Sequence, residues 1–204
     1  MNTNYQNQLK QTKEVIDSMP WDNPLFYQLF LAQTYYFVSH STRLLARSIS
    51  HFGVDRDNLY RRFVAHLKEE NYHERLVVND LKSSALHPTD FQELSITKAF
   101  WETQFYKIDQ TKGISLLGYI LYLEAIPVHC FKGVEGMFPK KSSSFAQVHM
   151  DEDPAHLQSA ISMINEMNPD EQSEIWSNFH QTSELYQIML CEINNLIKYS
   201  AKVA

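Results

Sequence analysis

Apolar residues recur along the chain at helical spacing in a series of long stretches, separated by polar or proline-bearing joints. A short leading helix is predicted over Tyr5 to Ser18. The joint Pro20-Trp21-Asp22-Asn23-Pro24 then opens a long apolar helix to about Ser50, with Pro24 suited to a first turn. The tract His51 to Asp55 stops it, and Asp57 or Asn58 can cap a helix running through the eighties. Ser83-Ser84 and His87-Pro88 end that one, and Thr89 or Asp90 caps the next, to about Tyr106. Gly113 opens a strongly apolar helix, Ile114 to about Val134, bent at Pro127 because proline removes an internal hydrogen bond. After a loop from Pro139 to Ser144, a helix reaches about Met167, and Pro169 opens the last, to about Lys198. The expectation is an all-α, single-domain bundle of about seven helices spanning 1–204, without repeat or linker.

Composition narrows the picture. There are 5 glycines in 204 residues and no Asn-Gly or Asp-Gly pair, so hairpin turns lack their usual residues. No glycine-rich nucleotide cradle occurs either. At 44% apolar and 21% charged, the chain is neither disordered nor membrane-spanning in character. No uninterrupted apolar run reaches the roughly 18 residues of a spanning helix. Eighteen basic against 24 acidic residues give −6 with no basic block, which excludes non-specific nucleic-acid binding and points to a small molecule or another protein as partner. Cys130 and Cys191 are too few for a disulfide framework. With a polar N-terminus unlike a secretory leader, they predict a cytoplasmic location.

The candidate chemistry lies in two histidine clusters. His66, Glu70 and His73 stand at i, i+4 and i+7, which on one continuous helix puts all three on one face. His149, Asp153 and His156 repeat that spacing. Glu124 interrupts an apolar run, where a carboxylate is costly unless paired or metal-bound. Imidazole with carboxylate suits a first-row ion such as iron or manganese, and Glu-x-x-His is a way helical bundles ligate two irons. Each piece has a plainer reading. Glu69, Glu70 and Glu74 beside Lys68 and Arg75 make an ordinary charged face. Asp151, Glu152 and Asp153 before Pro154 make an acidic helix start, and Glu124 could pair with one buried arginine. The plain readings compete less well together, because two clusters share one spacing and one ligand chemistry.

With these residues the sequence resembles the heme-oxygenase-like di-iron oxidases and oxygenases of the CADD and UndA types. The match lies in His149-x3-Asp153-x2-His156, Glu70-x2-His73, the isolated Glu124, and the Tyr35 to Ala46 and His66 to Leu81 stretches. It covers about residues 20 to 195. The resemblance implies a seven-helix heme-oxygenase-like bundle (TenA- or CADD-like) and the ligands Glu70, His73, Glu124, His149, Asp153 and His156. It also implies two ferrous ions per chain, with dioxygen as cosubstrate for oxidation of a small organic substrate. Either Glu70 completes the first site or His66 is itself a ligand, and iron against manganese stays open. Pro154 falls inside the second cluster, so a helix restart at Asp153 is expected. The resemblance further implies a homodimer. Two alternatives stand: a non-catalytic binding module of the same fold, and a metal-free TenA-like enzyme using Cys130. Tyr35, Tyr36, Phe37, Tyr119 and Tyr122 are candidates for an apolar substrate lining.

Overall fold

Asn23 shows how local chemistry starts a helix here. Its Oδ1 accepts the backbone N–H groups of Leu25 at 3.0 Å and Phe26 at 3.3 Å, and Pro24 fills the first helical position. The structure, a computed structural model, describes residues 3–203; the side chains of 3–4, 152, 153, 155 and 200–203 lie outside the description. The described residues form α1 (Thr3–Asp17), α2 (Pro24–Val38), α3 (Ser41–Ile49), α4 (Asp57–Glu69), α5 (Glu74–Lys82), α6 (Ser95–Gln110), α7 (Leu116–Ala125), α8 (Ser144–Asn165) and α9 (Pro169–Val203). No strand occurs among them. The all-α expectation holds, but there are more helices than the expected seven, because two spans read as continuous are each broken in two. The apolar helix from Pro24 ends at Val38 and restarts at Ser41. The helix carrying the first cluster ends at Glu69 and restarts at Glu74.

The start of α6 lies later than expected, α8 begins where the loop to Ser144 places it, and both are capped from a distant helix. The expected caps Thr89 and Asp90 belong instead to a short 3-10 turn, Pro88–Asp90, held by His87. The real start of α6 is capped by Gln33 of α2, whose buried Oε1 accepts Leu94 N–H at 3.0 Å and Thr97 Oγ1–H at 2.7 Å. At α8, the buried carboxylate of Asp80 on α5 accepts Ser144 N–H at 3.0 Å, Ser144 Oγ–H at 2.6 Å and Phe145 N–H at 2.9 Å. This ties α5 to the first turn of α8. Removing it with Asp80→Ala leaves these part-buried donors without their cap, so urea unfolding should show a loss of about 1–2 kcal/mol. A loss under about 0.5 kcal/mol would mean the cap contributes little.

The expected bend at Pro127 takes the form of a π-turn, Ile126–Cys130, closed by Phe131 N–H to the Ile126 carbonyl at 3.1 Å. The wider turn makes room for the ring of Pro127 one turn after Glu124. The expected restart at Asp153 does not occur, since α8 passes through Pro154 unbroken. Pro154 is exposed, so water can take the carbonyl its ring leaves unbonded. The 35-residue α9 packs against α1, α2, α6 and α7. Gly118 lets α7 lie on it at backbone contact: a Cβ there would stand 2.1 Å from the Ile175 carbonyl oxygen and 2.7 Å from Phe179 N. No helix among the described residues is long and apolar enough to cross a membrane.

Candidate metal centre

The break between α4 and α5 shapes the site. Glu70 caps the end of α4, Tyr72 adopts a left-handed φ of +78°, and His73 precedes the first turn of α5. A bulky residue held left-handed costs roughly 1 kcal/mol or more. The Arg75 guanidinium, 3.9 Å above the Tyr72 ring, favours that conformation. His66, Glu70 and His73 therefore do not share one face of a continuous helix, as their spacing predicts. The turn instead lets Glu70 reach His73 (Oε2 to Nδ1 3.7 Å) while His66 stays one turn back on α4.

Helix α8 supplies the facing side, and its histidines divide between two groups. His149 joins Glu70 and His73; His156 joins His66 and Glu69; within each group one ligand atom per residue lies within 4.8 Å of the others. The rings pair edge to face across the gap, His73 with His149 at 5.1 Å and His66 with His156 at 5.6 Å. Glu69 Oε2 is 3.5 Å from His156 Nε2 and 3.8 Å from His66 Nδ1. His66 stands between the groups, with Nε2 3.8 Å from Glu70 and Nδ1 3.6 Å from Glu124. Glu124 thus abuts the centre from α7. The side chain of Asp153 lies outside the described residues.

Glu69 is a residue the sequence reading passed over as part of a charged face. Its signal was present, three residues after His66 on one face of α4. Of the residues proposed as a substrate lining, Phe37 and Tyr119 do line the adjoining cavity, and Tyr35, Tyr36 and Tyr122 do not. Tyr36 Oη donates to the Phe91 carbonyl at 2.7 Å, and Tyr122 Oη bonds Thr12 Oγ1 at 3.0 Å between α7 and α1.

The donor set fits a metal ion on three observations. The nitrogen-to-oxygen separations of 3.5–3.8 Å exceed a charge-assisted hydrogen bond, about 2.7–2.9 Å. They approach the roughly 3–3.5 Å between neighbouring ligands about 2.1 Å from one ion. Two of the imidazoles, His66 and His149, are also held neutral, the form that ligates. Burial lowers His66 to about 3, helped by the Arg62 guanidinium and the neighbouring imidazoles. Burial lowers His149 to about 4, against a raising effect of its bond to the Phe145 carbonyl. That bond, from Nδ1–H at 2.8 Å, leaves the Nε2 lone pair available and fixes the ring. Arg62, one turn before His66, donates to Ser159 Oγ at 2.7 Å, a turn beyond His156, and closes the outer edge of the centre.

Cys130 offers a different chemistry poorly. The thiol is wholly buried, and burial pushes it up to about 12, far from the thiolate a nucleophile needs. It does not line the cavity beside the histidines.

No family description and no characterised protein matches the chain in sequence. Solved structures do match in shape. A domain of unknown function with a heme oxygenase-like fold, from Shewanella denitrificans, superposes with a TM-score of 0.84 at 14% identity, covering 98% of this chain and 94% of that one. A TenA homologue from Pyrococcus furiosus gives 0.72 at 11% identity, over 94% and 100% of the two chains. A CADD-like protein of unknown function from Nostoc punctiforme gives 0.60 at 14% identity, over 98% of both. At these identities the likeness is one of architecture, and the chain has the heme-oxygenase-like fold.

Proposed function

We propose that this chain is a non-heme iron-dependent oxidase or oxygenase acting on a small organic substrate. Two groups of histidine and carboxylate donors facing each other across α4, α5 and α8 carry the reading. In it, Glu70, His73 and His149 hold one ferrous ion, and His66, Glu69 and His156 hold the other, with Glu124 beside both. Asp153 is a further ligand implied by the sequence pattern. The bound iron pair would supply the activation of dioxygen.

The chain's own residues supply the rest. The carboxylates of Glu69, Glu70 and Glu124 would offset part of the charge of two divalent ions and so lower the repulsion between them. The Phe145 carbonyl aims His149, and Asp80 fixes Phe145 by capping its backbone N–H at 2.9 Å. On the inner side the centre opens into a mostly apolar cavity, lined among others by Phe30, Phe37, Leu44, Leu45 and Phe131. Such walls exclude water from the reacting face and hold an apolar substrate against it. Tyr119, in the same lining, stays protonated because burial and the nearby Glu70 carboxylate both raise its pKa, so it keeps an O–H to donate.

Anaerobic ferrous titration of the purified chain tests the reading. The expected result is about two ions per chain, followed by oxygen uptake when air is admitted with substrate present. No iron binding after reconstitution would favour a non-catalytic module of the same fold.

A further inference from the structure

Two hydroxyls in the cavity beside the histidines have no hydrogen-bond partner. Thr34 on α2 is 1% exposed and Tyr119 on α7 is 3% exposed, and both line the cavity. Leaving a buried hydroxyl unmet is unfavourable, because its bonds to water are lost without replacement. Tyr5, outside the cavity, is likewise unmet. By contrast, the equally buried Tyr27 donates to the Ser142 carbonyl at 2.9 Å, and Tyr122 Oη is hydrogen-bonded to Thr12 Oγ1 at 3.0 Å. Unmet hydroxyls in a cavity wall are what a ligand's polar group would satisfy.

The remaining lining narrows the ligand. Among the described residues it contains no lysine or arginine, while Glu70 and Glu124 place two carboxylates at its metal end. In the metal-free chain an anionic head group there gains no counter-charge. An ammonium group would pair with those carboxylates in preference to the two neutral hydroxyls. A carbonyl, hydroxyl or primary amide oxygen accepts the Tyr119 proton at no electrostatic cost, and the Thr34 hydroxyl can donate or accept. The space is confined, about 750 Å³ counting the open mouth.

We infer that the cavity binds the hydrocarbon body of an uncharged molecule whose hydroxyl, carbonyl or amide group is held by the Thr34 and Tyr119 hydroxyls. In the proposed oxidase such a molecule would lie beside the iron-binding groups, and its catalytic meaning rests on that reading. The binding itself needs no metal, so it is tested on the metal-free chain, where failure of the iron assignment has no bearing.

Isothermal titration of the metal-free chain with 1-octanol, octanamide, octanoate and octylamine is the experiment. Octanol and octanamide should bind, and octanoate should bind at least about tenfold more weakly. Tyr119→Phe and Thr34→Val, which remove only the polar atoms, should each weaken octanol binding about five- to tenfold while leaving any binding of octylamine unchanged. Thermal melts without ligand check that both variants fold, and if one does not, the other decides. Octanol binding unchanged in the folded variants would mean that water serves these hydroxyls, and it would overturn the inference. So would octanoate binding as tightly as octanol.

Discussion

Metal-free chain carrying His73→Ala together with His149→Ala should still bind one ferrous ion, whereas His73→Ala with His156→Ala should bind none tightly. The expectation follows from how the ligand groups cross the sequence. His73 and His149 are 76 positions apart yet share a group with Glu70, and His156, a neighbour of His149 on α8, shares one with His66 and Glu69. Two losses from one group empty that group alone. One loss from each weakens both, and losing a first ligand should cost at least the hundredfold or so seen for supporting residues. Widely separated losses add, while losses within one group do not. His87→Ala and His129→Ala fall outside both groups and should leave two ions bound. Metal content after equilibrium dialysis reads every case. If the pairs instead followed sequence neighbours, with His149→Ala plus His156→Ala keeping one ion, the partition would be wrong.

That crossing explains what the sequence could and could not tell. Each histidine cluster was visible as a pattern, and so was Glu124, because a carboxylate in the run Gly118 to Pro127 is conspicuous. The start of α2 was legible because Asn23 and Pro24 do their capping locally. The start of α6 was not, because Gln33 caps it from more than 60 residues away in sequence; α8 begins where the loop to Ser144 places it, although its cap, Asp80, is equally remote. The break at residues 70–73 has neither glycine nor proline to mark it, and Tyr72 turns left-handed in a tertiary setting that spacing rules ignore. Glu69, three residues after His66 on the same face of α4, was read as surface charge because it stands among Lys68, Glu70 and Glu74. The turn instead lets adjacent residues serve opposite groups, Glu69 with His156 and Glu70 with His149. Pro154 misled the other way, because an exposed proline can be carried within a helix whose freed carbonyl is solvated.

Acid should unfold the metal-free chain well before it would unfold a core without buried histidines. His66 has a folded pKa lowered from 6.5 to about 3, by burial first and then by Arg62 and the surrounding imidazoles. The native state thus keeps this imidazole neutral over a range in which the unfolded chain takes up a proton. Wherever the unfolded state binds more protons, stability rises with pH. The contribution is therefore complete above about pH 6.5 and is lost as pH falls toward 3, where the native imidazole also protonates. At 1.36 kcal/mol per unit, His66 alone forfeits on the order of 3 kcal/mol by pH 4. His149, lowered to about 4, works in the same direction. The two rings repel each other's charge, so their losses are coupled and do not simply add. Urea midpoints of the metal-free chain at pH 7, 6, 5 and 4 should fall steadily, and His66→Gln, which cannot protonate, should flatten the slope. Carboxylates elsewhere also titrate near pH 4, so the difference between wild type and His66→Gln is the quantity to read. Parallel curves for the two proteins would mean that His66 is not held neutral, and the case for a ligand-ready imidazole at the centre would lose one of its supports.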